Sequence, residues 1–169
     1  MHCNTGDHTE SVLVDYDPSQ TNFSELLDVF WHNHEPTGNL PRQYMSAIFY
    51  HDEEQKQLAE QTMAAEQKKR SKPITTAILP ASTFYDAEDY HQKYLLQQHP
   101  SLCHMLDLDP SKEGLMSSHV AARLNGYMGG YGSRAAFEEE WPRLGLSEKC
   151  AEYVRKNARH APKATCGSG

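Results

Sequence analysis

Up to Leu79 the chain alternates between hydrophobic periods of two and of three to four residues, a pattern that only layered packings of strands against helices can satisfy. In residues 11–16, Val12, Val14 and Tyr16 fall on one face and Ser11, Leu13 and Asp15 on the other, which predicts a half-buried strand. Asp17-Pro18-Ser19 ends it as a turn. Asn22, with Glu25 three residues on, then predicts a helix start, and Leu26, Leu27, Phe30 and Trp31 form one stripe that Pro36 and Gly38 close. Residues 47–50 are a short apolar run, expected as a buried strand, after which Asp52 with Gln55 opens a long polar helix reaching about Arg70. Pro73 separates that helix from residues 74–79, whose β-branched content predicts another strand. The expected order is β-α-β-α-β.

The character then changes. A helix is predicted over residues 86–98, with Tyr90, Tyr94 and Leu95 on one side and a stop before Pro100. Further helical stretches are expected near residues 118–124, 134–140 and 147–157, with no convincing strand among them. Strands first and helices later predict an α+β two-layer domain with a helical C-terminal region. A length of 169 residues suits one domain, expected over residues 1–158, and the small and polar residues 159–169 predict a mobile tail.

The balance of 16 basic against 23 acidic residues, a net charge of −7, argues against a nucleic-acid or anionic-membrane surface, because binding phosphates requires a basic face. The longest basic run, Lys68-Lys69-Arg70, falls where a helix should end and reads as a partner for its dipole. No stretch approaches the ~20 apolar residues of a membrane span and no apolar signal segment opens the chain, so a soluble cytoplasmic protein is expected. Cys3, Cys103, Cys150 and Cys166 lie far apart without Cys-x-x-Cys spacing, which indicates neither a zinc knuckle nor a secreted disulfide framework. His32 and His34 are two apart and point away from each other on a helix, so no bound metal is expected.

Three separated segments carry chemistry: Gly6-Asp7-His8-Thr9-Glu10, then His34-Glu35-Pro36-Thr37 with Gln43-Tyr44, then the run from Phe84 through Asp86-Ala87-Glu88-Asp89-Tyr90-His91-Gln92 to Tyr94. Taken by themselves, Glu10 reads as a solvated strand-end carboxylate and Tyr44 as an aromatic at a sheet edge. Tyr90 and Tyr94 read as packing residues. Leu124-Asn125-Gly126-Tyr127 with Gly129-Gly130-Tyr131-Gly132 is a glycine-rich loop whose glycines permit positive φ. No strand precedes it and no Lys-Ser/Thr pair follows, so it is a weak phosphate-binding signal.

In order and spacing the three segments resemble the peptide-methionine (S)-S-oxide reductases, and the glycine-rich loop resembles that family's animal branch. The resemblance spans about residues 6–132. It implies a two-layer α/β sandwich of the ferredoxin-like type, here without the strand-helix-strand that would precede Met1 and would carry the family's Gly-Cys-Phe-Trp-Gly nucleophile. The chain is thus expected to be a truncated form. The resemblance also implies an activity: thiol-dependent reduction of methionine (S)-sulfoxide, in proteins or as the free amino acid, with thioredoxin or another dithiol as reductant and no bound cofactor. A thiolate attacks sulfur while an acid protonates the departing oxygen. Glu10 is implied as that acid, kept protonated by apolar neighbours, Tyr44 as a donor to the sulfoxide oxygen, and Cys166 as the resolving thiol. His91 is read as a structural hydrogen-bonding residue, Cys3 as having no nucleophilic role, and Cys103 and Cys150 as small buried hydrophobes. The family's aspartate in the loop before Gln-Tyr has no counterpart in Gly38-Asn39-Leu40-Pro41-Arg42. The competing expectation is a non-catalytic protein of the same fold that binds oxidised methionine or acts as an interaction partner.

Overall fold

The computed structural model describes residues 8–108 and 113–158. The backbone contacts divide it into two compact units, Met1–Tyr85 and Asp86–Gly169.

The first unit is built on a strand-helix-strand crossover. Helix α1 (Phe23–His32) is capped as the sequence predicts, the Asn22 side chain accepting from the Glu25 N–H at 3.0 Å. Its apolar stripe buries Leu27 and Trp31. Strand β1 (Ala47–Tyr50) leads into α2 (Glu53–Lys68), whose cap is Asp52 accepting from the Gln55 N–H at 2.8 Å. Strand β2 (Ala77–Pro80) returns parallel to β1, with Ala47 opposite Ala77 and Tyr50 opposite Pro80. Leu27, Trp31, Ile48 and Ala59 form the core of this unit, flanked by Phe23, Phe30, Leu58, Met63, Ile74 and Ile78. The Trp31 indole N–H donates to Thr62 Oγ1 at 3.0 Å, so the largest core side chain keeps its polar atom satisfied. At the end of α2, Lys69 and Arg70 both pair with Glu66, and Arg70 also donates to the Trp31 carbonyl at 3.3 Å. The basic run thus ties α2 to α1 as well as meeting its own helix end.

Residues 11–16 depart from expectation: they form no strand, and Val12 is 86% exposed. Their alternation defines an apolar face, but a strand also needs a neighbour's N–H and C=O groups along its length. Among the described residues the sheet has two strands, and neither pairs with this segment. Its apolar side chains are left half or more in solvent at Val12, Leu13 and Val14.

The second unit is helical. A 3-10 turn (Asp89–His91) is followed by α3 (Tyr94–Gln97), α4 (Pro100–Met105), α5 (Glu113–Ser117), α6 (His119–Met128), α7 (Arg134–Glu140) and α8 (Glu148–Asn157). The helix expected across residues 86–98 is broken at Lys93, whose φ of 48° lies in the left-handed region. That break destroys the four-residue spacing of Tyr90 and Tyr94, and both rings are exposed rather than packed. A helix does stop before Pro100, α3 ending at Gln97, and Pro100 then begins α4, a position that suits a ring with no N–H to offer. Leu96, Leu102, Leu124, Met128, Phe137 and Val154 are among the residues of the unit's core. In the glycine-rich loop Gly132 has a φ of 124°, and a Cβ there would stand 2.7 Å from the Tyr127 ring. The loop therefore requires glycine at that position for packing as much as for conformation.

Candidate active site

Glu10 and Tyr44 are 34 positions apart in sequence, and in the first unit Glu10 is hydrogen-bonded to Gln43, the neighbour of Tyr44. Arg42–Tyr44 form a 3-10 turn immediately before β1, entered through Pro41 and closed by the Tyr44 N–H on the Pro41 carbonyl at 2.9 Å. The segment bearing Glu10 docks along this turn. The Glu10 N–H donates to the Gln43 carbonyl at 2.8 Å, the Gln43 side-chain amide donates to Glu10 Oε1 at 2.8 Å, and the Thr9 hydroxyl donates to the Arg42 carbonyl at 3.1 Å. Two residues upstream of Glu10, the His8 ring meets Tyr85 edge to face with centroids 5.4 Å apart. Parts of all three matched segments are therefore gathered in one unit. Glu10 is exposed and Tyr44 keeps 54% of its surface open, so both polar groups remain accessible to a ligand from solution. The apolar shelter expected around Glu10 is not what the structure gives it. Beside the turn lies a hollow of about 150 Å³ lined by residues that include Gly38, Leu40, Arg42 and Met45.

The turn is held in place by a relay of polar side chains behind it. His34 Nδ1 lies 2.7 Å from the Phe30 carbonyl, which can only accept, so that nitrogen carries the hydrogen. In the neutral ring Nε2 is then an acceptor, met at 2.7 Å by the Ser46 hydroxyl, whose oxygen lies 2.8 Å from Thr76 Oγ1. These three side chains join the end of α1 to the residues that precede both strands. Glu35 stabilises the same corner: Oε1 accepts from the Thr37 hydroxyl and N–H, and those hydrogen bonds hold its carboxyl below the usual carboxylate range. The signal for His34 and Glu35 was present in the sequence as part of the second matched segment. Gln43 was quoted there only as the neighbour of Tyr44, since a contact with Glu10 across 33 positions leaves no local trace.

The other candidates are dispersed. Cys103 and Cys150 are buried, as expected. Burial pushes the Cys103 thiol up, and its sulfur donates to the Leu96 carbonyl at 3.5 Å. Cys150 accepts from the Ser147 hydroxyl at 3.2 Å. His91 lies in the second unit with its ring 4.2 Å from that of Tyr90. His32 Nδ1 is 2.7 Å from the Asp28 carbonyl, and among the described residues no three His, Cys, Asp or Glu side chains converge. No helix among the described residues is long and apolar enough to cross a membrane. Cys3, Cys166 and the expected tail at 159–169 lie outside the described residues.

Residues 1–124 match the family model described as peptide methionine sulfoxide reductase. Residues 111–157 match that of the selenoprotein methionine sulfoxide reductase A helical domain. The chain is 48% identical over 159 residues to a peptide methionine sulfoxide reductase of Drosophila melanogaster, covering 90% of this chain and 64% of the fly protein. It is 46% identical over 97 residues to the chloroplastic peptide methionine sulfoxide reductase A4 of Arabidopsis thaliana, covering 54% of this chain and 38% of that protein. With the Arabidopsis peptide methionine sulfoxide reductase A5 it shares 43% identity over 131 residues, covering 73% of this chain and 51% of the relative. The chain thus spans less than two thirds of the length of each of these relatives. The first family match covers most of the 169 residues, and its helical companion falls on the second unit. The chain belongs to the peptide methionine sulfoxide reductase family.

Proposed function

We propose that this protein acts in the thiol-dependent reduction of methionine (S)-sulfoxide, free or within oxidised proteins, with thioredoxin or another dithiol as the final reductant. The sulfoxide sulfur gains two electrons and becomes a thioether, two thiols become a disulfide, and the oxygen leaves as water. Glu10 gives its proton to the sulfoxide oxygen, which otherwise departs poorly, and the Tyr44 hydroxyl donates a hydrogen bond to the same atom. Cys166 is proposed as the resolving thiol. The observation that supports the reading is the pair of Glu10–Gln43 hydrogen bonds, Gln43 being the sequence neighbour of Tyr44. The crossover of β1, α2 and β2, with α1 and α2 sharing its core, supports a further reading of the first unit as part of a two-layer α/β sandwich.

Cys103 and Cys150, the cysteines among the described residues, are both buried, and the Cys103 thiol is pushed up by that burial. Those observations favour a second reading, a sulfoxide-binding protein without turnover. The two are separated by measuring binding of N-acetyl-methionine (S)-sulfoxide and its reduction with dithiothreitol, in the chain and in the chain joined to a strand and helix bearing Gly-Cys-Phe-Trp-Gly. The expected result is binding by both and rapid reduction by the joined form, lowered ~10²–10⁴-fold by Glu10→Gln. A Glu10→Gln rate within about twofold of its parent would show that the acid is another group, and binding without turnover in both forms would establish the second reading.

A further inference from the structure

A carboxyl group has two oxygens, and a general acid must present the protonated one to its substrate. In Glu10, Oε1 accepts a hydrogen bond from the Gln43 side-chain amide at 2.8 Å. The carbonyl-type oxygen of a carboxylic acid is the better acceptor, so the amide takes that oxygen and the acidic proton resides on the other. We propose that Gln43 is the positioning residue for the acid of the sulfoxide site, its amide fixing Glu10 Oε1 so that Oε2 carries the proton to the sulfoxide oxygen. This rests on the reading of Glu10 as the proton donor.

Two further features make Gln43 more than a passing contact. Its carbonyl accepts the Glu10 N–H at 2.8 Å, so the backbone and the side chain of Glu10 are held by one residue. Its own backbone is the middle of the 3-10 turn whose last residue is Tyr44, so the residue that holds Glu10 is the direct neighbour of Tyr44 in that turn. When the proton leaves Oε2 for the sulfoxide oxygen, Glu10 becomes a carboxylate, and the Gln43 N–H then donates to a charged acceptor. That bond is shorter and stronger than the one to the neutral acid, so the hold tightens as the proton is given up. The pair is open to water, which limits the expected effect to a few-fold.

The test is binding of N-acetyl-methionine (S)-sulfoxide to the full 169-residue chain, followed by amide shifts in nuclear magnetic resonance, with thermal midpoints confirming that each variant folds. Gln43→Met, which keeps bulk and removes the donor, should weaken binding roughly fivefold. Gln43→Asn, which keeps the amide donor on a shorter stem, should lie between that variant and the parent. A residue needed only for packing would not rank its variants by donor. In a Glu10→Gln background, Gln43→Met should add less than about a twofold loss, because Gln43 acts through Glu10. Gln43→Met within about twofold of the parent, when Glu10→Gln is clearly weakened, would overturn the role of Gln43 and leave the acid in place. A full additive loss in the double variant would also overturn it. If Glu10→Gln binds like the parent, or the parent does not bind the probe, the reading of the site falls and the role of Gln43 with it.

Discussion

At the scale of single residues, polar groups in this protein are arranged in pairs and triads that span distant parts of the chain. The clearest is Glu140, which accepts from Arg123 Nε at 2.7 Å and Nη2 at 2.8 Å and from the Tyr127 hydroxyl at 2.6 Å. The Arg123 hydrogen bonds lead in holding its carboxyl below the ordinary 4.5, with Tyr127 adding and partial burial opposing. Because the folded carboxyl is the stronger acid, this group contributes stability above the usual carboxylate range and loses it as pH falls through the lowered value. Glu140→Gln should therefore cost about 1–2 kcal/mol at neutral pH, the half-exposed Arg123 reducing what a fully buried pair would give. Urea titrations between pH 7 and pH 3 should show the parent losing more stability than the variant, and parallel losses would place the effect elsewhere.

Among the elements, those with a local start signal formed where their signals stand. Asn22 and Asp52 each accept from the N–H three residues on, and Ser118, Ser133 and Ser147 do the same for α6, α7 and α8. The cap is a contact within four residues, so it is legible without knowledge of the fold. Asn22→Ala should cost about 1 kcal/mol. That loss should appear in thermal unfolding with the amide protection of the first turn of α1 most reduced, and an unchanged midpoint would mean that the tertiary contacts of Leu27 and Trp31 fix that helix by themselves. Residues 11–16 and 86–98 are the counterexamples. Their periodicity was sound as a pattern, yet one lacks a neighbouring strand among the described residues and the other is interrupted by the left-handed Lys93. Neither a hydrogen-bonding partner nor a backbone reversal is encoded in hydrophobic spacing.

For the molecule as a whole, two hydrophobic clusters organise the described residues, one under the parallel strand pair and one among the C-terminal helices. The first is small, so each member matters: Leu27→Ala should cost about 2–5 kcal/mol, with hydrogen exchange reporting the loss in α1, β1 and β2. A cost under about 1 kcal/mol would mean that this core relaxes around the cavity. The sequence by itself determined the helix caps, the position of β1, the helices α6, α7 and α8, the family, and the residue types of the candidate site, because each is written in spacings of a few residues or in ordered motifs, whereas the strand expected over residues 74–79 forms as Ala77–Pro80, where β1 offers it partners. Tertiary structure decided the rest. It set Glu10 against Gln43, joined His34 through Ser46 to Thr76, buried Cys103 and Cys150, and left the alternating residues 11–16 unpaired. The hydrogen bonds span 12 to 33 positions, the burials need helices from separate parts of the chain, and the pairing needs a neighbouring strand, so none has a local period to announce it.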